Sequence, residues 1–289
     1  MSSLENISDT ALWVAYYRAL ESKRKDALFK DLYAERLIGS RGKKIAREIG
    51  KPWLVSWAVA VRTAVIDELV LRMVEAQDVR RVVNLACGLD TRPYRLSVPR
   101  DLLWIEMDLP DIMDHKSRLL STETPRCVLE RKVVDLSDPP ARRKAFLDLN
   151  ETPLRTLVIT EGLLVYLDAQ NVASLSQDLF AQRSFHYWTM DIYSPRLLGW
   201  TKFSHWDKKF KKANSPFLFA PREGSDFFTP LGWKKVEYRP TLREAERLRR
   251  AIPLTFALRL MGRFSSEKRR ESNRNLSGIL LLERSGENH

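Results

Sequence analysis

Acidic side chains stand at the ends of short apolar runs that have the composition of buried strands. They are Glu106, Asp108, Asp135 and Glu161. Because the carboxyl ends of parallel strands meet at one edge of an open sheet, where ligands bind, we expect these carboxylates to face a common site. A carboxylate in that position can accept hydrogen bonds from ribose hydroxyls or pair with an ammonium group.

The turn after the first strand could bring the backbone close to a ligand. It reads Asn84-Leu85-Ala86-Cys87-Gly88-Leu89-Asp90-Thr91-Arg92. Its glycine can adopt a positive φ, but the turn lacks the three glycines of the dinucleotide fingerprint and the Gly-Lys-Ser/Thr of a P-loop. It therefore favours a nucleoside that carries an amino acid over a pyrophosphate, although a tight strand-to-helix turn without a ligand could have the same residues.

The second strand offers a partner for the ribose of such a nucleoside. Asp108 lies 20 positions beyond Gly88, the separation that dinucleotide-binding folds use for their ribose carboxylate. Because side chains alternate along a strand, Glu106 and Asp108 share a face. The spacing alone leaves either carboxylate eligible.

Arg62 and Glu161 could hold the two ends of an amino-acid group. Arg62 interrupts an otherwise apolar helix face before the first strand, and a buried guanidinium needs an anion. That anion could instead be Asp67 or Glu68 of the same helix. Glu161 suits an ammonium group, or else it is a surface or helix-capping residue.

The elements that position these residues follow from hydrophobic periodicity. Residues 9–76 have a helical pattern, after which strands and helices alternate. This alternation indicates right-handed βαβ units and a parallel sheet covered on both faces. The predicted strands are 81–86, 102–107, 128–134, 156–160, 185–192, 233–239 and 278–282. Residues 196–230 interrupt the pattern as an insertion or lid, and Thr241 with Glu244 has the spacing of a capping box.

The net charge of +12 is concentrated in one part of the chain. Residues 196–274 hold 20 basic and 8 acidic residues, whereas the other 210 residues carry 29 of each sign. A basic segment of this kind can face nucleic acid, an anionic membrane, an acidic protein or an anionic substrate. It can also be a solvated surface without a ligand.

The composition excludes several classes of protein. A hydrophobic fraction of 44% excludes a disordered chain, and two cysteines, Cys87 and Cys127, are too few for a disulfide framework. No Cys/His cluster has the spacing of a zinc site. The sequence shows no signal-peptide pattern and no uninterrupted apolar run of about 18 residues. We therefore expect a cytoplasmic protein without a transmembrane segment or a bound metal.

Four stretches resemble the leucine carboxyl methyltransferase family. They are NLACGLDTRPYRL (84–96), WIEMDLPDIMDHKSRLL (104–120), VDL (134–136) and TEGLLVYL (160–167). The resemblance covers nearly the whole chain and is weakest at 196–275. It is greatest to the bacterial branch of S-adenosylmethionine-dependent O-methyltransferases associated with polyketides and other small molecules.

The resemblance implies a class I methyltransferase fold, a Rossmann-like α/β architecture whose seven-stranded sheet has one antiparallel strand. It also implies S-adenosyl-L-methionine as the cofactor. On the family's pattern, Arg62 pairs with the methionine carboxylate of this cofactor and Glu161 with its amino group. Asp108, rather than Glu106, is then the residue that holds the ribose.

Four further positions acquire cofactor-binding roles through the same resemblance. Ala86 and Gly88 are expected under the aminoacyl part, and Asp135 and Leu136 beside the adenine. One departure concerns the turn, because the family usually has Gly-Ala-Gly where this chain has Ala86-Cys87-Gly88. The methyl group of Ala86, which stands where the family has its first glycine, narrows the space for the cofactor and could weaken its binding.

Fewer residues indicate where the methyl acceptor binds than where the cofactor binds. Methyl transfer from a sulfonium requires mainly orientation and exclusion of water. A carboxylic acid is already ionised at pH 7, whereas a phenol needs a base. The candidate catalytic groups are Tyr166 and His205, and the candidate substrate wall, on an amphipathic helix, consists of Trp200, Phe203 and Trp206.

The predicted function is S-adenosylmethionine-dependent O-methylation of a small, hydrophobic carboxylic acid or hydroxyl compound, in natural-product or polyketide tailoring. The acceptor could be anionic or bound to a carrier protein, and nucleic acid is not the expected partner. The alternatives are an RNA-modifying or nucleic-acid-binding protein and a protein carboxyl methyltransferase. We expect one domain over residues 1–289: helices (1–77), cofactor-binding core (80–195), lid (196–230) and the end of the sheet (231–289).

Overall fold

Seven strands form one mixed sheet in the computed structural model, which describes residues 8–49, 55–202, 216–250 and 275–286. The strands are β1 (Arg81–Leu85), β2 (Leu103–Asp108), β3 (Val128–Val133), β4 (Thr156–Thr160), β5 (Phe185–Tyr193), β6 (Trp233–Pro240) and β7 (Ser277–Arg284). Their spatial order is β3-β2-β1-β4-β5-β7-β6. β7 runs antiparallel to β5 and β6, and the other neighbours are parallel. The predicted seven-stranded α/β sheet with one antiparallel strand is confirmed.

Helices connect the strands and precede the sheet. The described α-helices are α1 (Ser8–Ser22), α2 (Ala34–Ile49), α3 (Ser56–Ala76), α4 (Arg92–Arg95), α5 (Pro110–Leu119), α6 (Pro139–Leu147), α7 (Ala169–Phe180), α8 (Pro195–Lys202) and α9 (Thr241–Arg247). Short 3-10 helices occupy Leu164–Tyr166 and Gly224–Leu231. None of the helices in these described ranges is long and apolar enough to cross a membrane.

The starts of two helices test what the local sequence can predict. Asp168 caps α7, because its carboxylate accepts the backbone N–H of Asn171. The predicted capping box of α9 is wrong: Pro240 is the capping residue and no side chain caps the helix. Glu244 instead forms ion pairs with Arg239 at 2.6 Å and Arg247 at 2.7 Å, so side-chain charge pairing prevails over the cap.

Alternate residues of the strands pack into two separate cores. Val82 of β1 contacts the cluster formed with α3, and Val83 contacts the cluster formed with α6 and α7. The buried apolar residues that α3 contributes to the first cluster are Val61, Val65, Ile66, Leu69, Val70 and Met73. Helices cover both faces of β1, and all of its residues except Arg81 and Asn84 are accordingly apolar.

A third cluster joins α1 and α2 to the turn that follows β1. Leu89 and Tyr94 from this turn and from α4 pack with residues of the two N-terminal helices. Arg18 of α1 donates a hydrogen bond to the carbonyl of Leu89 and lies 3.7 Å from Asp90. The N-terminal helices therefore fix the position of the turn after β1.

The strand order places a crevice at the end of β1. β1 pairs with β2 on one side and with β4 on the other, so the connections that leave β1 and β4 diverge from this point. Such a reversal of strand order is where open α/β sheets bind ligands. The residues after β1, β2, β4 and β5 all meet there.

Candidate cofactor site

The turn after β1 has a backbone conformation that favours glycine. Ala86 and Gly88 have φ values of 49° and 51°, in the left-handed region that costs an L-residue about 1–2 kcal/mol. A Cβ at Gly88 would also lie 3.3 Å from the Cβ of Ala11 in α1. Gly88 therefore satisfies both a conformational and a packing requirement, whereas Ala86 retains the conformational strain.

Asp108 fastens this turn to the end of β2. Its Oδ2 accepts the backbone N–H of Gly88 at 2.6 Å, and its Oδ1 accepts that of Leu109 at 2.8 Å. Burial raises the pKa of Asp108 above the ordinary range, and the two N–H donors only partly offset this effect. Each oxygen retains a second lone pair, so the carboxylate can still accept the hydroxyls of a ribose.

The structure distinguishes Glu106 from Asp108, which their spacing along β2 left as equal candidates for holding a ribose. Glu106 is completely buried, and its oxygens accept Nζ of Lys116 at 2.6 Å and Nε of Arg131 at 3.0 Å. Asp108, two residues later, lies at the crevice beside Gly88. Glu106 is thus committed to an internal ion pair, and Asp108 is the residue available to a ligand.

Arg62 of α3 lies between two carboxylates that come from the ends of β4 and β5. Its Nε donates to Glu161 and its Nη1 to Asp191, both at 2.9 Å. The alternative partners from the same helix, Asp67 and Glu68, bind other arginines instead. Within the described part of the chain, Nη2 of Arg62 has no hydrogen bond, and the side chain is 14% exposed. The guanidinium therefore keeps one nitrogen available to a ligand.

Gly162, directly after Glu161, lies against the guanidinium of Arg62. A Cβ at this position would be 3.5 Å from Nη1 and 3.6 Å from Nη2 of Arg62, and the φ of Gly162 is 67°. Its backbone N–H donates to Asp191 at 2.6 Å. The Glu161-Gly162 turn therefore contributes a carboxylate and a backbone donor to the same site, and its left-handed φ favours glycine at position 162.

Arg92 of α4 holds Glu161 from the opposite side. Its Nη1 lies 2.8 Å from Glu161 and from Asp90, and its Nε lies 2.6 Å from Asp67. Burial alone would raise the pKa of Glu161, but Arg92 and Arg62 outweigh burial and hold it below the ordinary range. Glu161 therefore stays ionised at neutral pH, as pairing with an ammonium group requires.

An aromatic wall borders this charged cluster, and we define it as Tyr166, Tyr193 and Phe217. The ring centroid of Phe217 is 5.5 Å from that of Tyr166 and 6.5 Å from that of Tyr193, on which it stacks. Burial raises the pKa of Tyr166 to about 12 despite a hydrogen bond with Thr10. At neutral pH its hydroxyl can orient a ligand by hydrogen bonding but cannot act as a phenolate base.

The other predicted site residues lie apart from this cluster or outside the described residues. Asp135 is exposed, and its Oδ1 accepts the backbone N–H and the hydroxyl of Ser137. Leu136 is half-buried against the core. Trp200 is 46% exposed, with the guanidinium of Arg196 over its ring. The positions outside the described residues are Phe203, His205 and Trp206.

Two residues of this cluster were not assigned to the cofactor site from the sequence. Arg92 and Asp191 make contacts across 69 and 129 positions of the chain, respectively. The one available signal was polarity at a strand end, which Asp191 shares with Asp108 and Glu161. In the described part of the chain, no group of His, Cys, Asp and Glu side chains could hold a metal ion.

Comparison with known proteins extends this description. The family model of leucine carboxyl methyltransferases matches residues 11–180. The chain belongs to this family. A candidate S-adenosyl-L-methionine-dependent methyltransferase of Mycolicibacterium smegmatis is 36% identical over 262 residues, which cover 82% of this chain and 86% of the relative. Another from Frankia alni is 37% identical over 175 residues, 57% of this chain and 61% of the relative.

Solved structures of similar fold have little sequence identity to this family member. A candidate methyltransferase from Thermobifida fusca has a TM-score of 0.62 at 14% identity, with 98% of this chain and 96% of that chain covered. A DUF574 family protein from Streptomyces avermitilis has a TM-score of 0.60 at 15% identity, with 94% and 97% covered. The fold is that of class I methyltransferases, and the protein is an S-adenosylmethionine-dependent methyltransferase.

Proposed function

We propose that this methyltransferase is an O-methyltransferase whose acceptor is a small, hydrophobic carboxylic acid or hydroxyl compound. The observation that carries the proposal is the position of the aromatic wall beside the Arg62–Glu161 pair. Tyr193 of the wall donates its hydroxyl hydrogen to Asp191, which in turn binds Arg62. An acceptor that packs against these rings would therefore lie next to the amino-acid end of the cofactor.

The charges of the cluster fit the zwitterionic end of S-adenosylmethionine. Nη2 of Arg62 is open to a carboxylate, and Glu161, which is 14% exposed, can accept an ammonium group. The amino-acid group of the cofactor carries one positive and one negative charge, so it leaves the balance of buried charge at this end of the site unchanged. Gly88 lies in the turn after β1 and is hydrogen-bonded to Asp108, and the nucleoside would extend towards these two residues.

The cofactor supplies an activated methyl group, and the residues of this chain supply orientation and a water-poor surface. The phenol of Tyr166 stays protonated at neutral pH, and both oxygens of Asp191 already accept protein donors. Neither residue is therefore suited to remove a proton from the acceptor. This situation favours an acceptor that is ionised in solution or is activated mainly by its placement.

Calorimetry with S-adenosylhomocysteine tests the cofactor half of the proposal. Wild type is expected to bind, and Asp108→Ala to bind at least about 10-fold more weakly, because a charge-assisted hydrogen bond contributes about 1.5–3 kcal/mol. Asp101→Ala is the matched control, since Asp101 is exposed and lies just before the opposite end of the same strand. Equal binding by wild type and Asp108→Ala would contradict the assignment.

Methyl transfer from labelled cofactor tests the acceptor half. Small aromatic and aliphatic acids, phenols and peptides with a free carboxyl terminus are compared as acceptors. A product that releases labelled methanol in mild base is a methyl ester, and a base-stable product is an ether. Methylation of the small acids or phenols supports the proposal, whereas methylation confined to peptides would favour the protein carboxyl methyltransferase alternative, which the family also permits.

A further inference from the structure

Asp191, near the end of β5, joins three separate elements of the cofactor site. Its Oδ1 accepts the backbone N–H of Gly162 at 2.6 Å. Its Oδ2 accepts Nη1 of Arg62 at 2.9 Å and the hydroxyl of Tyr193 at 2.7 Å. The residue is 5% exposed. Its carboxylate is thus buried and receives donors from α3, from the turn after β4 and from the aromatic wall.

These contacts determine how Arg62 is oriented. A guanidinium is planar, so one bond from Nε and one from Nη1 together fix both its plane and its rotation. Glu161 supplies the first anchor and Asp191 the second. With both anchors in place, Nη2 is the guanidinium nitrogen that keeps no hydrogen bond within the described ranges. Without Asp191, the guanidinium could rotate about its single remaining contact with Glu161.

We infer that Asp191 is a positioning residue, which holds Arg62 so that Nη2 is presented to the carboxylate of the cofactor's amino-acid end. The inference rests on the proposed role of Arg62 in the site. Asp191 also carries a negative charge that would repel that same carboxylate. Positioning outweighs this repulsion because the positive charge of Arg62 compensates the charge of Asp191, whose other oxygen accepts the Gly162 N–H. A preorganised guanidinium also loses less freedom when the ligand binds.

Two ligands separate positioning of Arg62 from a general effect on the fold. S-adenosylhomocysteine carries the amino-acid carboxylate, and 5′-methylthioadenosine has the same nucleoside and sulfur without it. Asp191→Asn is expected to weaken binding of S-adenosylhomocysteine at least about 10-fold. Binding of 5′-methylthioadenosine is expected to change less than about 2-fold, because that ligand makes no contact with Arg62. Isothermal calorimetry measures both.

Asp178→Asn is the matched control. Asp178 also lies in a largely buried carboxylate–arginine pair, with Arg142, and contacts the exposed Arg143, but these contacts join α6 and α7. The control is expected to lower thermal stability and to leave the affinity for both ligands unchanged. Asp191→Glu is a second variant, which retains the charge but displaces the carboxylate. It is expected to show the same selective loss, and it takes the place of Asp191→Asn in the test if that variant does not fold.

A double-mutant cycle with Arg62→Lys tests whether Asp191 acts through Arg62. Once the planar fork is removed, Asp191→Asn should add less than about 2-fold to the loss, because the two effects share one contact. Additive losses, equal losses for the two ligands, or tighter binding of S-adenosylhomocysteine by Asp191→Asn would overturn the inference. If wild type itself does not bind S-adenosylhomocysteine, the proposed cofactor site fails instead.

Discussion

The buried pair of Glu106 and Lys116 is expected to respond asymmetrically to substitution. Both side chains are completely buried, and Nζ of Lys116 lies 2.6 Å from Glu106. Glu106 has a second cation, Arg131, at 3.0 Å. The other described contact of Lys116 is the sulfur of Cys87 at 3.8 Å. Loss of Glu106 therefore leaves a buried ammonium group without a hydrogen-bonded carboxylate, with Asp90 acting only at longer range, whereas loss of Lys116 leaves the Glu106 carboxylate with a partner.

The magnitudes follow from this difference. Glu106→Gln is expected to lower the free energy of unfolding by about 3–5 kcal/mol, as for other buried charges that lose their counter-ion. The loss in Glu106→Gln has an upper bound because Lys116 can give up its proton instead of remaining charged. Deprotonating a lysine of ordinary pKa at pH 7 costs about 4.6 kcal/mol, and no buried charge then remains. Lys116→Met should lower it by about 1–3 kcal/mol, the penalty for one unpaired carboxylate oxygen.

Urea titrations monitored by circular dichroism at pH 7 and pH 9 measure these effects. In Glu106→Gln, burial without a hydrogen-bonded carboxylate is expected to push the folded-state pKa of Lys116 below its unfolded value. The unfolded state then binds more protons, so the stability of this variant should rise with pH. The double variant Glu106→Gln/Lys116→Met should recover at least about 2 kcal/mol relative to Glu106→Gln. A larger loss in Lys116→Met, or strict additivity in the double variant, would refute the reasoning.

Three further outcomes are expected. The φ of residue 86 is 49°, so Ala86→Val should lower the free energy of unfolding, measured by urea titration, by about 1–2 kcal/mol, and Ala86→Gly should not lower it. The reverse order of the two variants would contradict the left-handed conformation. Burial raises the pKa of Asp108, and ribose hydroxyls need its ionised form. Affinity for S-adenosylhomocysteine should therefore fall on acidification at a higher pH than for an ordinary aspartate, and calorimetry from pH 4 to 8 in wild type and Asp108→Asn checks this. Since the pKa of Tyr166 is about 12, Tyr166→Phe should preserve the pH profile of turnover below about pH 10, and a displaced profile would show that the hydroxyl titrates during catalysis.

Alternation of strands and helices was sufficient to predict the sheet. Strands β1 to β5 lie within two residues of their predicted bounds, and Thr156–Thr160 has the predicted ends. β1 and β4 are buried on both faces, so each is a short, mostly apolar run that the sequence shows directly, whereas the edge strand β3 has exposed positions and fits only the alternation of elements. Polar residues at the ends of such runs likewise identified Asp108 and Glu161 as neighbours of the crevice.

Partner choice among the charged residues could not be predicted in the same way. Spacing made Asp67 and Glu68 plausible partners for Arg62, whereas the structure pairs it with residues 99 and 129 positions away. Glu106 and Asp108 share a strand face, yet the position of Lys116 on α5 commits only Glu106 to an internal pair. Such pairings depend on which helices cover the sheet and at what distance, and this information is absent from local periodicity.

The place of β7 within the sheet bears on how the protein forms during synthesis. This strand comes from residues 277–284, yet it lies between β5 and β6 and pairs with both. Until it emerges from the ribosome, one edge of β5 has unpaired backbone groups, and β6 has no strand to join. Exposed edges of this kind promote association between nascent chains. β5, the strand that carries Asp191 into the cofactor site, therefore keeps an unpaired edge until β7 has been synthesised, and the sheet can close only after that.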